Sequence, residues 1–260
     1  MIIYLDIIRF NFLRFLAYPT EIWAAIIKQI LTTGFLLVFW SIIAKSSHGT
    51  ISLTPLISYF LTAGAVDALI SAQDLRFGAY IGGYIKNGSI TTHLIRPLHI
   101  IPYLISSSLG ERSLGLLLAI VTFCIGILIY PPSSLLSIAL FLIFLGLAAT
   151  ISLAINVITA IFYFYSPEAR GFLYSVGHVV KVFSGAIVPL TLFPQALKRI
   201  ALLSPFPGMV FAPVSALHTT SLNADLLTSL AINATWAAIL LTIALTWWKK
   251  AMRSYDAVGI

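Results

Sequence analysis

Apolar positions in this chain gather into six long runs, and most charged positions fall in the gaps between them. The runs fall near 22–44, 56–71, 113–130, 135–163, 172–192 and 226–248. A hydrocarbon core of about 30 Å takes roughly 20 residues of helix, because each backbone N–H and C=O must be satisfied within its own segment. The pattern therefore predicts an all-α integral membrane protein with six transmembrane helices, forming a single domain over residues 1–260.

The gaps differ in character. Residues 131–134 read as a tight turn, whereas 72–110 and 191–225 are long, and long connections in a compact domain tend to carry function. Residues 1–20 set Asp6, Arg9 and Arg14 among Ile7, Ile8, Phe10, Phe12, Leu13, Phe15 and Leu16, which predicts an amphipathic helix lying on the membrane surface. A cleavable leader would instead show a basic start, an unbroken apolar core and a small-residue cleavage site. Within 74–86, Phe77, Ile81, Tyr84 and Ile85 recur at helical spacing, and Asn87 with Gly88 supplies a stop, so a short amphipathic helix is expected there. As one helix, residues 100–130 would be about 46 Å long at 1.5 Å per residue. Their first part is expected along the membrane interface, with Glu111 and Arg112 where the chain enters the membrane. Residues 191–225 contain Pro194, Pro205, Pro207, Gly208 and Pro213 yet stay apolar, the pattern of broken helices dipping partway into the membrane.

Composition removes the soluble alternatives. The chain is 60% hydrophobic and 9% charged, with mean hydropathy +1.02, whereas soluble domains are roughly 45–50% apolar and about 25% charged. With six crossings both termini share a side. That side holds Arg9, Arg14, Arg76, Lys86, Arg96, Arg170, Lys249, Lys250 and Arg253, against Lys45, Lys198 and Arg199 opposite, so the termini are expected in the cytoplasm. The net charge of +7 is then a topology signal and an attraction to anionic inner-leaflet lipid, not a nucleic-acid footprint. Trp23, Trp247 and Trp248 near cytoplasmic ends and Tyr130 near an external end suit an aromatic belt. The single cysteine, Cys124, excludes an intrachain disulfide and reads as a small packing residue.

Candidate chemistry is sparse. In the fifth run Tyr174, Gly177, His178, Lys181 and Ser184 share one helical face. An unpaired lysine in mid-membrane costs roughly 2.5–3.5 kcal/mol on insertion scales, so Lys181 should face protein, water or a carboxylate. The face either lines a substrate path or forms a packing or subunit interface, and Asp67 and Glu111 are the acidic residues placed to pair with Lys181. Glu111 and Arg112, being adjacent, should anchor separate neighbours. No phosphate-binding loop, His-Glu-x-x-His, Gly-x-Ser-x-Gly or intramembrane metal-ligand spacing is present, so the chain itself is expected to have no catalytic role, no cofactor and no metal.

Two segments carry a family resemblance. The run Tyr84-Ile85-Lys86-Asn87-Gly88-Ser89-Ile90-Thr91-Thr92-His93-Leu94-Ile95-Arg96-Pro97-Leu98 resembles the first cytoplasmic loop of six-helix permeases of type-two ATP-binding-cassette (ABC) exporters. The run Gly185-Ala186-Ile187-Val188-Pro189-Leu190-Thr191-Leu192-Phe193-Pro194, followed by Pro205-Phe206 and Pro213, is similar to that family's external segment before the last span. The resemblance implies a homo- or heterodimeric permease driven by a separate ATP-binding subunit that holds ATP and magnesium. It also implies that the helix at 74–86 docks on that subunit through Phe77, Ile81, Tyr84, Ile85 and Lys86. Ser89-Ile90-Thr91-Thr92 departs from relatives that carry an acidic residue there, so an ion pair at that contact does not carry over. The residues alone also admit an ion-coupled secondary transporter working without an ATPase. An intramembrane hydrolase is a second alternative, although His178 has no evident nucleophilic partner.

Overall fold

Helix is the regular structure of every described element, as a chain needs when its backbone must satisfy itself in hydrocarbon. The computed structural model describes residues 2–46, 52–70, 83–84, 99–166 and 170–253. In chain order the helices are α1 (Ile2–Leu16), α2 (Pro19–Ser46), α3 (Leu53–Ile70), α4 (Ile100–Glu111), α5 (Ser113–Ile129), α6 (Leu135–Tyr165), α7 (Arg170–Phe183), α8 (Gln195–Leu203), α9 (Phe211–Ala216) and α10 (Ala224–Arg253). Single 3₁₀ turns lie at Leu190–Leu192 and Phe206–Gly208. Among the described residues four helices, α2, α3, α6 and α10, are long and apolar enough to cross a membrane, and the bent pair α4–α5 makes a fifth if the two count as one span.

Local sequence explains the boundaries. Pro19 opens α2, a position where its missing N–H costs nothing. The turn before α6 is fixed by a reciprocal serine cap: the Ser137 N–H donates to Ser134 Oγ, and the Ser134 N–H donates to Ser137 Oγ, each at 3.2 Å. Asn223 Oδ1 accepts from the Leu226 N–H at 2.8 Å and caps α10. That helix carries Asp225 in its first turn and Lys250 and Arg253 in its last, the polarity that suits its dipole. Between α4 and α5 the chain bends by 65°. The bend falls at Arg112, the turning point expected from the length of 100–130.

Small residues make the tightest seam. Gly126 of α5 lies on Ser58 and Thr62 of α3; a Cβ there would stand 2.8 Å from Thr62 Cγ2. The close approach lets the Ser58 hydroxyl donate to the Gly126 carbonyl at 2.8 Å, a cross-helix bond of the kind that holds membrane helices together. The Ser152 hydroxyl of α6 likewise donates to the Ile70 carbonyl at 2.8 Å. At one end of the bundle a buried cluster gathers Leu104 of α4, Ile161 of α6, Leu173 of α7, and Trp248 and Ala251 of α10, with Tyr84 packed against it. Because α1 packs on α4, the N-terminal helix and the last turns of α10 share this end.

The structure departs from the sequence reading in three places. The expected straight span over 172–192 is not one helix: α7 stops at Phe183 and, at 1.5 Å per residue, its 14 residues reach only about 21 Å. Gly185 takes φ +88°, a conformation other residues avoid, and Pro189 and Pro194 follow, so the helix ends and irregular backbone takes its place. Its freed carbonyls are satisfied by side chains: Tyr59 Oη donates to Gly185 O at 2.8 Å and Trp40 Nε1 to Ile187 O at 3.1 Å. The N-terminal helix ends at Leu16 rather than continuing to residue 20, because Pro19 starts a new helix. Finally, Cys124 lies on the exposed face of α5, not in packing. The segment before the last span is broken into short helices, with α8, α9 and two 3₁₀ turns between 190 and 216.

Candidate functional site

The α2 helix is held against α3 at one end and stands away from it at the other. Trp40 and Ala44 pack with Leu56 and Phe60, and the Trp40 and Phe60 rings stack with centroids 5.3 Å apart. Toward its N-terminus α2 is largely exposed, and a cavity of about 1400 Å³ opens between α1, α2, α3, α4 and α5, with Lys181 of α7 reaching its wall. This is larger than the roughly 300–1,000 Å³ of most small-molecule pockets. Leu36, Phe60 and Ala186 line it beside the Trp40 contact, whereas Asp6, Arg14, Glu21, Lys28, Glu111 and Arg112 bring charge to the rest of its lining.

Charges of both signs meet there. Lys181 Nζ lies 3.3 Å from Asp67 Oδ2, joining α7 to α3, with the two side chains 32% and 19% exposed. Such partial exposure lets the cavity hydrate the pair, so it is neither a surface bridge nor a dry one. Glu111, the other acidic candidate for Lys181, is engaged elsewhere: Arg14 of α1 meets it at 2.6 Å. The neighbouring Arg112 points another way and donates to the Ala68 carbonyl of α3 at 2.5 Å. The adjacent acid and base thus pin α4 to α1 and α5 to α3 respectively.

On α7 the remaining face residues split by depth. Tyr174 and His178 are exposed, and Ser184 is buried. His178 Nδ1 lies 2.7 Å from the Tyr174 carbonyl, a bond within its own helix. The Ser184 hydroxyl donates to the Lys181 carbonyl at 3.0 Å, and the Ser184 carbonyl accepts from the Phe211 N–H at 2.9 Å, fastening the end of α7 to α9. Of the residues assigned to ATPase docking, Phe77, Ile81, Ile85 and Lys86 lie outside the described residues. Tyr84 is described: it is half-buried, packs on the cluster around Leu104 and Trp248, and borders the cavity. Among the described residues no group of three or more His, Cys, Asp or Glu side chains could hold a metal ion.

A polar stripe on α2 was not singled out from sequence. Glu21, Lys28, Gln29, Thr32 and Thr33 all line the cavity. Their spacing of seven, one, three and one residues puts them on one side of the helix. The signal was present, a lysine and a glutamine inside an apolar run, but an averaged hydropathy window absorbs it.

No curated protein matches this chain. Residues 56–259, most of its length and all of its helices after α2 apart from the first three residues of α3, match the family model described as ABC-2 family transporter protein. The chain therefore belongs to the ABC-2 transporter family and is a multi-pass membrane protein, the permease component of an ABC transporter.

Proposed function

We propose that this permease works as an exporter, as a homo- or heterodimer, driven by a separate subunit that binds ATP and magnesium. The family match over 56–259 is the observation that carries the reading. In it the chain crosses the membrane six times, through α2, α3, α5, α6, α7 with the irregular stretch after it, and α10, leaving both termini in the cytoplasm. The shared location of α1, α4 and the basic end of α10 supports this orientation, since Lys249, Lys250 and Arg253 then lie on the positive-inside side.

The segment 74–86 docks on the ATP-binding subunit through Phe77, Ile81, Ile85 and Lys86, with Tyr84 as its root in the bundle. Closure of two such subunits around ATP then tilts the permease halves and switches access to the path between them. Tyr174 and His178, which are exposed in the single chain, face that path or a second copy across it. Catalysis belongs to the partner chain, and this chain holds no cofactor.

Affinity purification of the tagged chain with its natural neighbours co-expressed, followed by mass identification and an ATPase assay, tests the reading. Recovery of an ATPase carrying a phosphate-binding loop is expected, with its loss when Phe77 and Ile81 are both changed to Asp. A well-folded permease that purifies alone and has no associated ATP hydrolysis would overturn it.

A further inference from the structure

We infer that the wedge between α2 and α3 is a binding site for an anionic amphiphile, with Lys28 receiving its head group. The inference deepens the permease reading by naming a ligand class. It stands on the shape of the cavity, its gradient of polarity and a cation, Lys28, that has neither an ion pair nor a hydrogen bond among the described residues.

Pairing accounts for most of the charged lining. Arg14 holds Glu111, Lys181 holds Asp67, and Arg112 is spent on the Ala68 carbonyl. Asp6 and Glu21 remain, and Glu21 sits in the first turn of α2 where the helix dipole favours it. Lys28 is exposed like those two, but it differs from them in depth. It stands nine residues into a membrane-length helix, about 13 Å from its start, and makes no ion pair or hydrogen bond among the described residues. An ammonium at that depth is costly unless an anion or water meets it.

Its surroundings fit an anionic head and an apolar tail. Gln29 and Thr32 flank Lys28 on the cavity side and offer further hydrogen bonds. Two turns farther along α2, about 12 Å from Lys28, the lining becomes Leu36, Phe60 and Ala186, and the stacked Trp40 and Phe60 rings close the wedge. A ligand with its head at Lys28 therefore points its tail toward Trp40, along the helix. An inner-leaflet lipid in the proposed orientation has that same direction, so such a ligand can slide in sideways past α2 without turning over.

Equilibrium binding of dodecyl phosphate to the purified full chain in a neutral maltoside detergent tests the site without any ATPase, so its result is independent of whether a partner subunit exists. Lys28→Gln should weaken binding by about tenfold or more, the size of one lost charge-assisted hydrogen bond, whereas Lys28→Arg should retain it. Thr32→Phe, which keeps the lysine but fills the wedge, should also reduce binding. Lys45→Gln, at the opposite end of α2 and outside the cavity, should leave it unchanged. Dodecyltrimethylammonium and inorganic phosphate should each compete poorly, the first for want of an anion and the second for want of a tail. Unchanged affinity in Lys28→Gln, or competition by either compound as effective as that of dodecyl phosphate, would overturn the inference.

Discussion

Replacing Asp67 by Asn would leave the Lys181 ammonium facing an amide, and the structure sets the size of the effect. The pair is 3.3 Å apart, with side chains 32% and 19% exposed. Breaking a fully buried pair costs about 3–5 kcal/mol, because one charge is left uncompensated. Exposed pairs are worth about 0.2–1 kcal/mol. A pair hydrated from one side falls between, so Asp67→Asn should destabilise by about 1–3 kcal/mol, close to the cost of an unpaired lysine in a membrane helix. Lys181→Met should cost a similar amount, since it removes the ammonium 3.3 Å from the Asp67 carboxylate. The double variant removes both charges and should be more stable than the sum of the single losses implies, with a coupling of about 1–2 kcal/mol, within the range for residues in contact. Equilibrium unfolding in mixed micelles, with SDS titrated in and tryptophan emission as readout, gives all four stabilities. A coupling below about 0.5 kcal/mol, the level at which independent sites simply add, would refute the claim that this contact joins α7 to α3.

Two further outcomes follow from packing and protonation. Gly126→Val should destabilise by about 1–3 kcal/mol, as overpacking does, because a Cβ already meets Thr62 Cγ2 at 2.8 Å and the Thr62 backbone nitrogen at 3.2 Å; Gly126→Ala should cost less, and the same unfolding titration ranks them. His218, in the turn between α9 and α10, donates to the Pro131 carbonyl and packs on Tyr130 with ring centroids 4.5 Å apart and planes tilted by 49°, while its Nδ1 is buried with no partner among the described residues. Burial lowers its pKa, outweighing the opposing bond to Pro131. A base with its folded pKa depressed below the unfolded value near 6.5 contributes stability above that value and loses it as the pH falls from there through the folded pKa. Melting temperature should therefore drop between pH 7.5 and 5, and His218→Phe should flatten that part of the profile; a wild-type profile with no fall below pH 6.5 would refute the assignment.

Much of the helix layout was legible because each element carries its own signal. Apolar length marked α2, α3, α5, α6 and α10, and the tight turn read at 131–134 lies immediately before α6. The fifth run failed for a definable reason: hydropathy counts apolar residues but ignores backbone conformation, so Gly185 and Pro189 were averaged into a span they actually break. Charge partners were legible only as a short set of candidates. Sequence left Asp67 and Glu111 equal as mates for Lys181, and the decision came from α1, whose Arg14 engages Glu111 across 97 residues of chain. Lys28 was missed because one lysine scarcely moves the mean of a long apolar run, although its free energy is dominated by that single charge.

The two ends of α2 imply how the cavity could change size. At the Trp40 end the helix is fixed by ring stacking on Phe60 and by a hydrogen bond to the Ile187 carbonyl, in the same irregular stretch whose Gly185 carbonyl is held by Tyr59 of α3. That corner ties α2, α3 and the end of α7 together, and its polar backbone has no other partner to turn to in hydrocarbon, so separation there would be costly. At the other end α2 is largely exposed, and the groups facing it across the cavity are charges already paired among themselves. Rotation of α2 about the Trp40 corner therefore breaks few contacts, while widening or narrowing the space beside Lys28. The same rotation would carry α1, joined to α2 by only Ala17 and Tyr18, against the Arg14 link to α4. The ion pair at Glu111 is thus placed to oppose opening of the wedge, and the stacked rings are placed to act as its hinge.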